Sequence, residues 1–219
     1  MAADDDTLTI PRPLVNLTNQ NTRKKTRLIV LIMFNLTIIS FILIIRFAHP
    51  QKPKFLLQDA TVFIFNLSTS PPNLLNSTLQ ITIASQNPNK VSGIYYDDLG
   101  IYAEYKEQQI TYQTAIPRVY QDHKETNVWS LFINGGNVPI APYNVPVLRW
   151  DQSNGFINLV IKIDGHVRWK IGSFTTRKYH FHVVCNANMD FRGKFSNNDG
   201  VVVFSSVKYQ LYRRCTVAV

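Results

Sequence analysis

FINLVIKIDGHVRWKIG, Phe156 to Gly172, decides the fold class of this chain. Ile157, Leu159, Ile161 and Ile163 alternate with Asn158 and Lys162, and Val167, Trp169 and Ile171 alternate with Arg168 and Lys170. A period of two puts the apolar set on one face of a strand and the polar set on the other. Asp164-Gly165, set between the two runs, reads as a hairpin turn.

The same alternation recurs along the chain. Leu79, Ile81 and Ile83 share a face in LQITIAS, as do Ile101, Ala103 and Tyr105 in GIYAEYKE. Phe181, Val183 and Cys185 do so in YHFHVVC, and Val201, Val203, Val207, Tyr209 and Leu211 in VVVFSSVKYQL. Turn signals fall at Pro71-Pro72-Asn73, Gly135-Gly136-Asn137, Ser153-Asn154-Gly155 and Asn197-Asn198-Asp199-Gly200. One wet and one buried face per strand is antiparallel behaviour, and so many short strands predict an all-β antiparallel β-sandwich over residues 58–219. No long amphipathic helix is evident, and any short one is expected within 112–127.

Charged residues make up 17% of the 219, below the usual soluble level of about 25%. The deficit points to a membrane-embedded segment. LIVLIMFNLTIISFILII, Leu28 to Ile45, carries no charge and as a helix is about 27 Å long, close to the hydrocarbon thickness of a bilayer. RKKTR precedes it, whereas only Arg46, Lys52 and Lys54 follow closely. The denser basic flank stays in the cytosol, so the N-terminus is cytosolic and the remainder extracellular or lumenal. The competing reading, a cleaved signal peptide, calls for a shorter apolar region and a better cleavage site than Arg46-Phe47-Ala48. YQLYRRCTVAV at the C-terminus is too polar and short for a lipid-anchor signal. On this reading residues 1–27 are a disordered cytosolic tail, 28–45 the signal-anchor helix and 46–57 a stalk. Asn35 within the span either hydrogen-bonds a partner helix, which would make a homo-oligomer, or is a tolerated polar residue.

Catalytic constellations are not evident: the sequence has no GxSxG, HExxH, P-loop or dinucleotide-binding glycine pattern. Asp97 and Asp98 are expected on opposite faces of a strand, in a solvated turn. His180 and His182 share a strand face but lack a third metal ligand. No catalytic residue, metal or cofactor is therefore assigned. Cys185 and Cys215 both sit on apolar strand parity and are read either as a disulfide in an oxidising compartment or as two buried thiols. Asn66-Leu67-Ser68 and Asn76-Ser77-Thr78 are glycosylation sequons on the outer side, whereas Asn35-Leu36-Thr37 would lie in lipid. Residues 46–219 hold 18 Lys and Arg against 11 Asp and Glu, a net of +7. Lys162, Arg168, Lys170, Arg177, Lys178, Arg192 and Lys194 cluster in sequence among aromatic residues. Outside a membrane, such a face meets acidic wall polysaccharide or lipid headgroups rather than nucleic acid, unless it is simply the solvated side of a sheet.

Asn87-Pro88-Asn89 fits a strand-ending corner, because proline presets φ at the second position and Asn87 can bond backbone two residues on. The order of tail, basic flank, apolar span and NPN followed by GIYYDDLGIYAEYKEQQI resembles the plant harpin-induced-like (NHL) family. VRWKIGSFTTRKYHFHVVC and the closing CTVAV add to the likeness, which covers roughly residues 20–219. The family's outer domain is the late-embryogenesis-abundant subgroup-two domain, also called the water-stress and hypersensitive-response domain. The resemblance implies a fibronectin-III-like β-sandwich, a single-pass plasma-membrane location, a part in pathogen defence or stress response, and no enzymatic activity. The partners it leads us to expect are the bilayer, a membrane or extracellular protein, and acidic cell-wall polysaccharide. The alternative is a lumenal or extracellular lipid- or small-ligand-binding module. A small type II transferase is a distant third, lacking an acidic metal motif.

Overall fold

The computed structural model describes residues 15–48, 50–69, 73–190 and 203–219. The first element is helix α1 (Val15–Ala48). Strands β1 (Lys54–Leu67), β2 (Leu74–Gln86), β3 (Ser92–Tyr105), β4 (Gln108–Gln109), β5 (Thr114–Ala115), β6 (Val119–Gln121) and β7 (Thr126–Pro139) follow. Helix α2 (Asn144–Ser153) precedes β8 (Phe156–Ile171), β9 (Phe174–Thr175), β10 (Tyr179–Asp190), β11 (Val203–Arg214) and β12 (Thr216–Ala218). The described residues up to Ala48 and those from Pro50 onward form two separate compact units.

α1 contains one stretch, Thr22–Ile42, long and apolar enough to cross a membrane, with mean hydropathy 1.8 and none of it covered by protein. The helix begins well before Leu28, so residues 15–27, expected as disordered tail, are helical. It also runs on to Ala48. The expected stalk at 46–57 is thereby divided between the helix end and the first strand, whose Phe55 and Leu57 are already core.

The second unit is an antiparallel β-sandwich. One sheet has the order β11-β1-β2-β7, and the other has β12-β10-β8-β3-β4, with β5 and β6 also on β3 and β9 on β8. Period-two burial drives this assembly: Phe181, Val183, Cys185, Ala187 and Met189 of β10 are buried while the residues between them are not. Aromatic rings lock the two sheets together. Phe55 of β1 lies 5.5 Å from Phe181 and 6.2 Å from Tyr96, both of the opposite sheet. Tyr96 also meets Trp129 of β7 edge-on at 5.7 Å. Each such fully buried large apolar side chain contributes about 1.5–3 kcal/mol.

Asp164-Gly165 makes no hairpin. β8 runs straight through it, pairing with β3 on one side and β10 on the other. The glycine answers a bulge in β3 instead. Asp97 pairs with His166 and Gly100 with Asp164, so β3 carries one extra residue there. Asp98 takes the left-handed conformation at φ 53°, as bulges often demand of one residue. The bulge pushes Leu99 into the core, 3% exposed. A Cβ on Gly165 would meet Asp98 O at 2.6 Å and Leu99 Cα at 2.8 Å.

Gly135-Gly136-Asn137 is likewise no turn. It lies inside β7, where Leu75 pairs with Val138 and Ser77 with Gly135, again with one extra residue. Residues 112–127 hold β5 and β6 rather than a helix, and the short helix is α2. Ser153-Asn154-Gly155 does end α2, with Gly155 at φ 70°. Pro71-Pro72 and Asn197-Asn198-Asp199-Gly200 lie outside the described residues.

The bulge contact makes a prediction. Gly165→Ala drives a methyl group into backbone and should cost about 1–3 kcal/mol, the usual range for overpacking. Gly136→Ala, which meets nothing within 4 Å, should change stability by less than about 0.5 kcal/mol. Urea unfolding of the full chain in detergent, followed by tryptophan fluorescence, compares the two; equal midpoints would refute the close approach.

Candidate functional site

Asn87, Pro88 and Asn89 form a buried corner. Asn87 Nδ2 donates to Ser92 O (2.8 Å) and Asp122 O (3.0 Å). Its Oδ1 accepts from Asn89 N (3.0 Å) and Asn89 Nδ2 (2.8 Å). Both donors and both lone pairs of this 0%-exposed amide are thus satisfied. Asn89 turns its amide to the incoming chain: Oδ1 accepts from Gln51 N (2.7 Å) and Nδ2 donates to Gln51 O (3.0 Å). A side chain here pairs with backbone as a neighbouring strand would. Asn87 N also donates to Glu125 O, and Lys124 Nζ to Pro88 O. The corner therefore joins three segments: the start of the domain, the β2–β3 connection and the β6–β7 loop.

A second polar cluster lies behind it, unannounced by any sequence motif. Gln121, fully buried, accepts from Tyr96 OH at 2.8 Å and donates to Ser85 O and Glu125 O. Burial pushes the Tyr96 phenol well above its ordinary pKa, so it stays protonated as a donor.

Of the basic residues of β8 and its neighbours, Lys162, Arg168 and Lys178 are ion-paired across strands. Arg168 donates to Asp97 through Nε at 2.5 Å and Nη2 at 3.1 Å. Lys162 pairs with Glu104 at 2.7 Å, and Lys178 with Asp98 at 3.3 Å; Arg118 also pairs with Asp98. Arg168 lies over the Tyr95 ring, Lys170 over Tyr120 and Arg177 over Tyr179, each 5.2–5.4 Å from the centroid. Arg192 and Lys194 lie outside the described residues. Asp97 is not the solvated turn residue expected of it: it is 8% exposed. The Arg168 guanidinium holds the Asp97 carboxyl below its ordinary range. Asp98, exposed, is held low by Arg118 and Lys178.

The other candidates fall apart in space. His182 pairs with Asp164, while the His180 ring meets His166 edge-on at 5.8 Å. Burial raises the Asp164 carboxyl, but hydrogen bonds from His182 and Tyr102 outweigh it and hold the group low. Among the described residues, no three His, Cys, Asp or Glu side chains gather as a metal site. Cys185 and Cys215 are at disulfide distance, with Cα atoms 4.4 Å apart. Asn66 and Asn76 are direct cross-strand partners in the β1–β2 pair, both half-exposed and outward, and Asn76 Oδ1 accepts from Asn137 N at 2.7 Å. The two sequons thus occupy one spot on the sheet, in strands rather than in the turn between them. Asn35 Nδ2 donates to Leu31 O at 2.9 Å within α1 itself.

Two clefts indent the domain. One, about 520 Å³, lies beside the β3 bulge and is lined by Asp98, Gly100, Gln113 and Arg118. The other, about 610 Å³, opens where the chain enters the domain and is lined by Lys52, Lys54, Phe55, Ala84, Arg214 and Val217. Sequence grouping passed over this second set, because Lys52 and Arg214 are far apart in the chain.

Two predictions follow from the geometry. Asn87→Ala strands buried partners at Ser92, Asp122 and Asn89, and should cost about 2–4 kcal/mol. Pro88→Ala should cost about 1 kcal/mol or less, through unfolded-state entropy. Matching urea midpoints for the two variants would contradict the amide hub. For Asp97, whose folded pKa is depressed, the stabilisation is present above the unfolded value of about 3.9 and lost as pH falls through the folded value. The stability gap between the native chain and Asp97→Asn should therefore stay constant from pH 5 to 7 and shrink below about pH 4. A gap independent of pH would rule out the ion pair as its source.

Residues 82–185 match the model of the late embryogenesis abundant protein family. NDR1/HIN1-like protein 1 of Arabidopsis thaliana is 48% identical over 191 residues, spanning 87% of this chain and 90% of that protein. NDR1/HIN1-like protein 12 of the same plant is 51% identical over 185 residues, 84% of this chain and 86% of that protein. Protein NDR1, also of Arabidopsis, is 28% identical over 160 residues, 69% of each. With near-half identity along almost its whole length and a sandwich closed by the Asn87-Pro88-Asn89 corner, the chain belongs to the NDR1/HIN1-like family.

Proposed function

We propose that this chain is a single-span, non-enzymatic protein of the plant plasma membrane, with its N-terminus cytosolic and its sandwich extracellular. It acts in defence or stress response through protein or cell-wall contacts made by the sandwich. The observation that carries the reading is the combination of one uncovered apolar helix segment, Thr22–Ile42, with a separately folded domain holding a cysteine pair at disulfide distance. A lone exposed apolar helix needs lipid, and a stable disulfide favours an oxidising compartment. The Arg23–Arg27 cluster on the other side of the span supports the same orientation. The names NDR1/HIN1-like 1 and 12 support the defence and stress association. An ion-paired sheet and a hydrogen-bonded corner suit a rigid contact surface rather than a reaction centre.

Protease treatment of intact protoplasts carrying a C-terminally tagged chain tests this. External protease should remove the tag, and glycosidase should raise gel mobility if the Asn66–Asn76 spot is glycosylated. A tag that survives until detergent is added would overturn the orientation.

A further inference from the structure

Four cations without an ion pair meet at one end of the sandwich. Lys162, Arg168 and Lys178 are matched to Glu104, Asp97 and Asp98, and Lys170 and Arg177 lie over the Tyr120 and Tyr179 rings. Among the described residues, Lys52, Lys54, Arg213 and Arg214 have no carboxylate within salt-bridge distance, and all four are exposed. Lys52, Lys54 and Arg214 rim the 610 Å³ cleft, whose floor is apolar: Phe55, Ala84 and Val217. Register explains the convergence. Leu56 of β1 sits opposite Arg214 of β11, so the first turn of chain after the anchor and the last strand of the large pairing meet here. Cys215 adds its backbone N–H to Phe55 O at 3.0 Å, fixing the cleft wall.

On the single-span reading a short stretch of chain tethers this end to the membrane. Lys52 is four residues beyond the last residue of α1, a reach of at most about 14 Å. α1 itself extends about 4.5 Å past Ile45, and the headgroup layer is about 5–8 Å deep. The rim of cations therefore lies inside the headgroup layer or within roughly one to two Debye lengths of it.

We propose that this cleft is a docking site for the headgroup of an anionic phospholipid in the leaflet from which the domain emerges, with the phosphate or carboxylate among Lys52, Lys54 and Arg214 and the glycerol region on the Phe55–Val217 floor. The inference rests on the single-span reading. Its volume falls within the range of about 300–1,000 Å³ usual for small-molecule sites. The charge sign, the apolar floor and the tether all favour a lipid of the same bilayer over a free polyanion, because the anchor holds it at high local concentration.

The test uses the full chain reconstituted in nanodiscs, either neutral phosphatidylcholine or phosphatidylcholine with phosphatidylserine. Lysine acylation by a water-soluble ester is followed residue by residue by mass spectrometry. Labelling of Lys52 and Lys54 should slow about fivefold or more on the anionic discs and recover in high salt. Lys106, exposed at the β3–β4 turn and far along the strands from this end, should label equally on both discs. Arg214→Glu should restore fast labelling of Lys54 on anionic discs. Equal rates on the two discs, or slowing shared by Lys106, would overturn the site. Protection by added polygalacturonate on neutral discs, without protection by phosphatidylserine, would reassign the cleft to a wall polymer and overturn the lipid. A chain that fails to co-elute with discs at all would bring down the anchor reading itself, and the docking site with it.

Discussion

The amide of Asn87 is the constraint on which the domain's architecture turns. It is buried, and each of its four hydrogen-bonding positions is used. Aspartate lacks the two donors that face Ser92 O and Asp122 O. Glutamine has the groups but on a stem one carbon longer. Asparagine alone fits, and proline at the next position fixes the turn that brings Asn89 beneath it. Asn89 then treats Gln51 as a strand partner. The consequence reaches past local geometry: the residue that begins the domain is held by the same pair of amides that ends β2. Entry of the chain, the crossing from β2 to β3 and the β6–β7 loop are fixed together or not at all.

The bulge at Asp97-Asp98 plays the corresponding part in the second sheet. One extra residue shifts β3 by a half period, and Leu99 takes the space that Gly165 leaves open. Asp97, just before the shift, shares the face of Tyr95 and meets Arg168, while Asp98 lies between Arg118 and Lys178. In the basic stretch of β8, Lys162 and Arg168 are ion-paired and Lys170 rests over the Tyr120 ring. Of the surplus of +7 in residues 46–219, the ion-pair geometry leaves part at the entry end.

Much of this was legible in the residue pattern, and the misreadings have a common physical origin in strand parity. A two-residue hairpin at Asp164-Gly165 would put Ile163 and His166 on the same face, followed by Arg168 and Lys170. The apolar residues after it, Val167, Trp169 and Ile171, keep the odd parity of Ile157 through Ile163. Unbroken parity argues for one strand, and outweighs the turn propensity of Asp-Gly. The converse holds in β3, where buried residues switch from Ile94 and Tyr96 to Ile101, Ala103 and Tyr105. That switch is the bulge, written in the sequence. β1 escaped notice for the same reason. Its buried set changes parity twice, from Phe55 and Leu57 to Ala60 and Val62 and back to Phe65 and Leu67, at two register shifts against β2. α2 was hidden by Pro146, which sits in the first helical turn, where its missing N–H has no helical partner to disappoint. The basic rim of the entry cleft joins residues more than a hundred positions apart, and no local pattern reports such a meeting.

Strand length sorts the domain's surfaces by distance from the point where the chain enters it. β1 starts at Lys54, six residues after the end of α1, and its 14 residues span about 45 Å. Its far end lies beside α2, where Gln152 reaches Phe65 O. There Tyr143, Val147 and Trp150 share one exposed helical face, 74%, 36% and 65% accessible, while Asn144, Val145 and Leu148 are packed inward. Tyr105 OH holds that helix down through Asp151 at 2.7 Å. The entry end thus offers cations over an apolar floor, and the far end offers aromatic rings on a pinned helix. The corner at Asn87 ties Gln51 to the core and holds the first strand at its entry end. The cationic cleft at one end and the aromatic helix face at the other are then kept about 45 Å apart along the strands by a sandwich whose two sheets are bound to each other through Phe55, Tyr96 and Phe181.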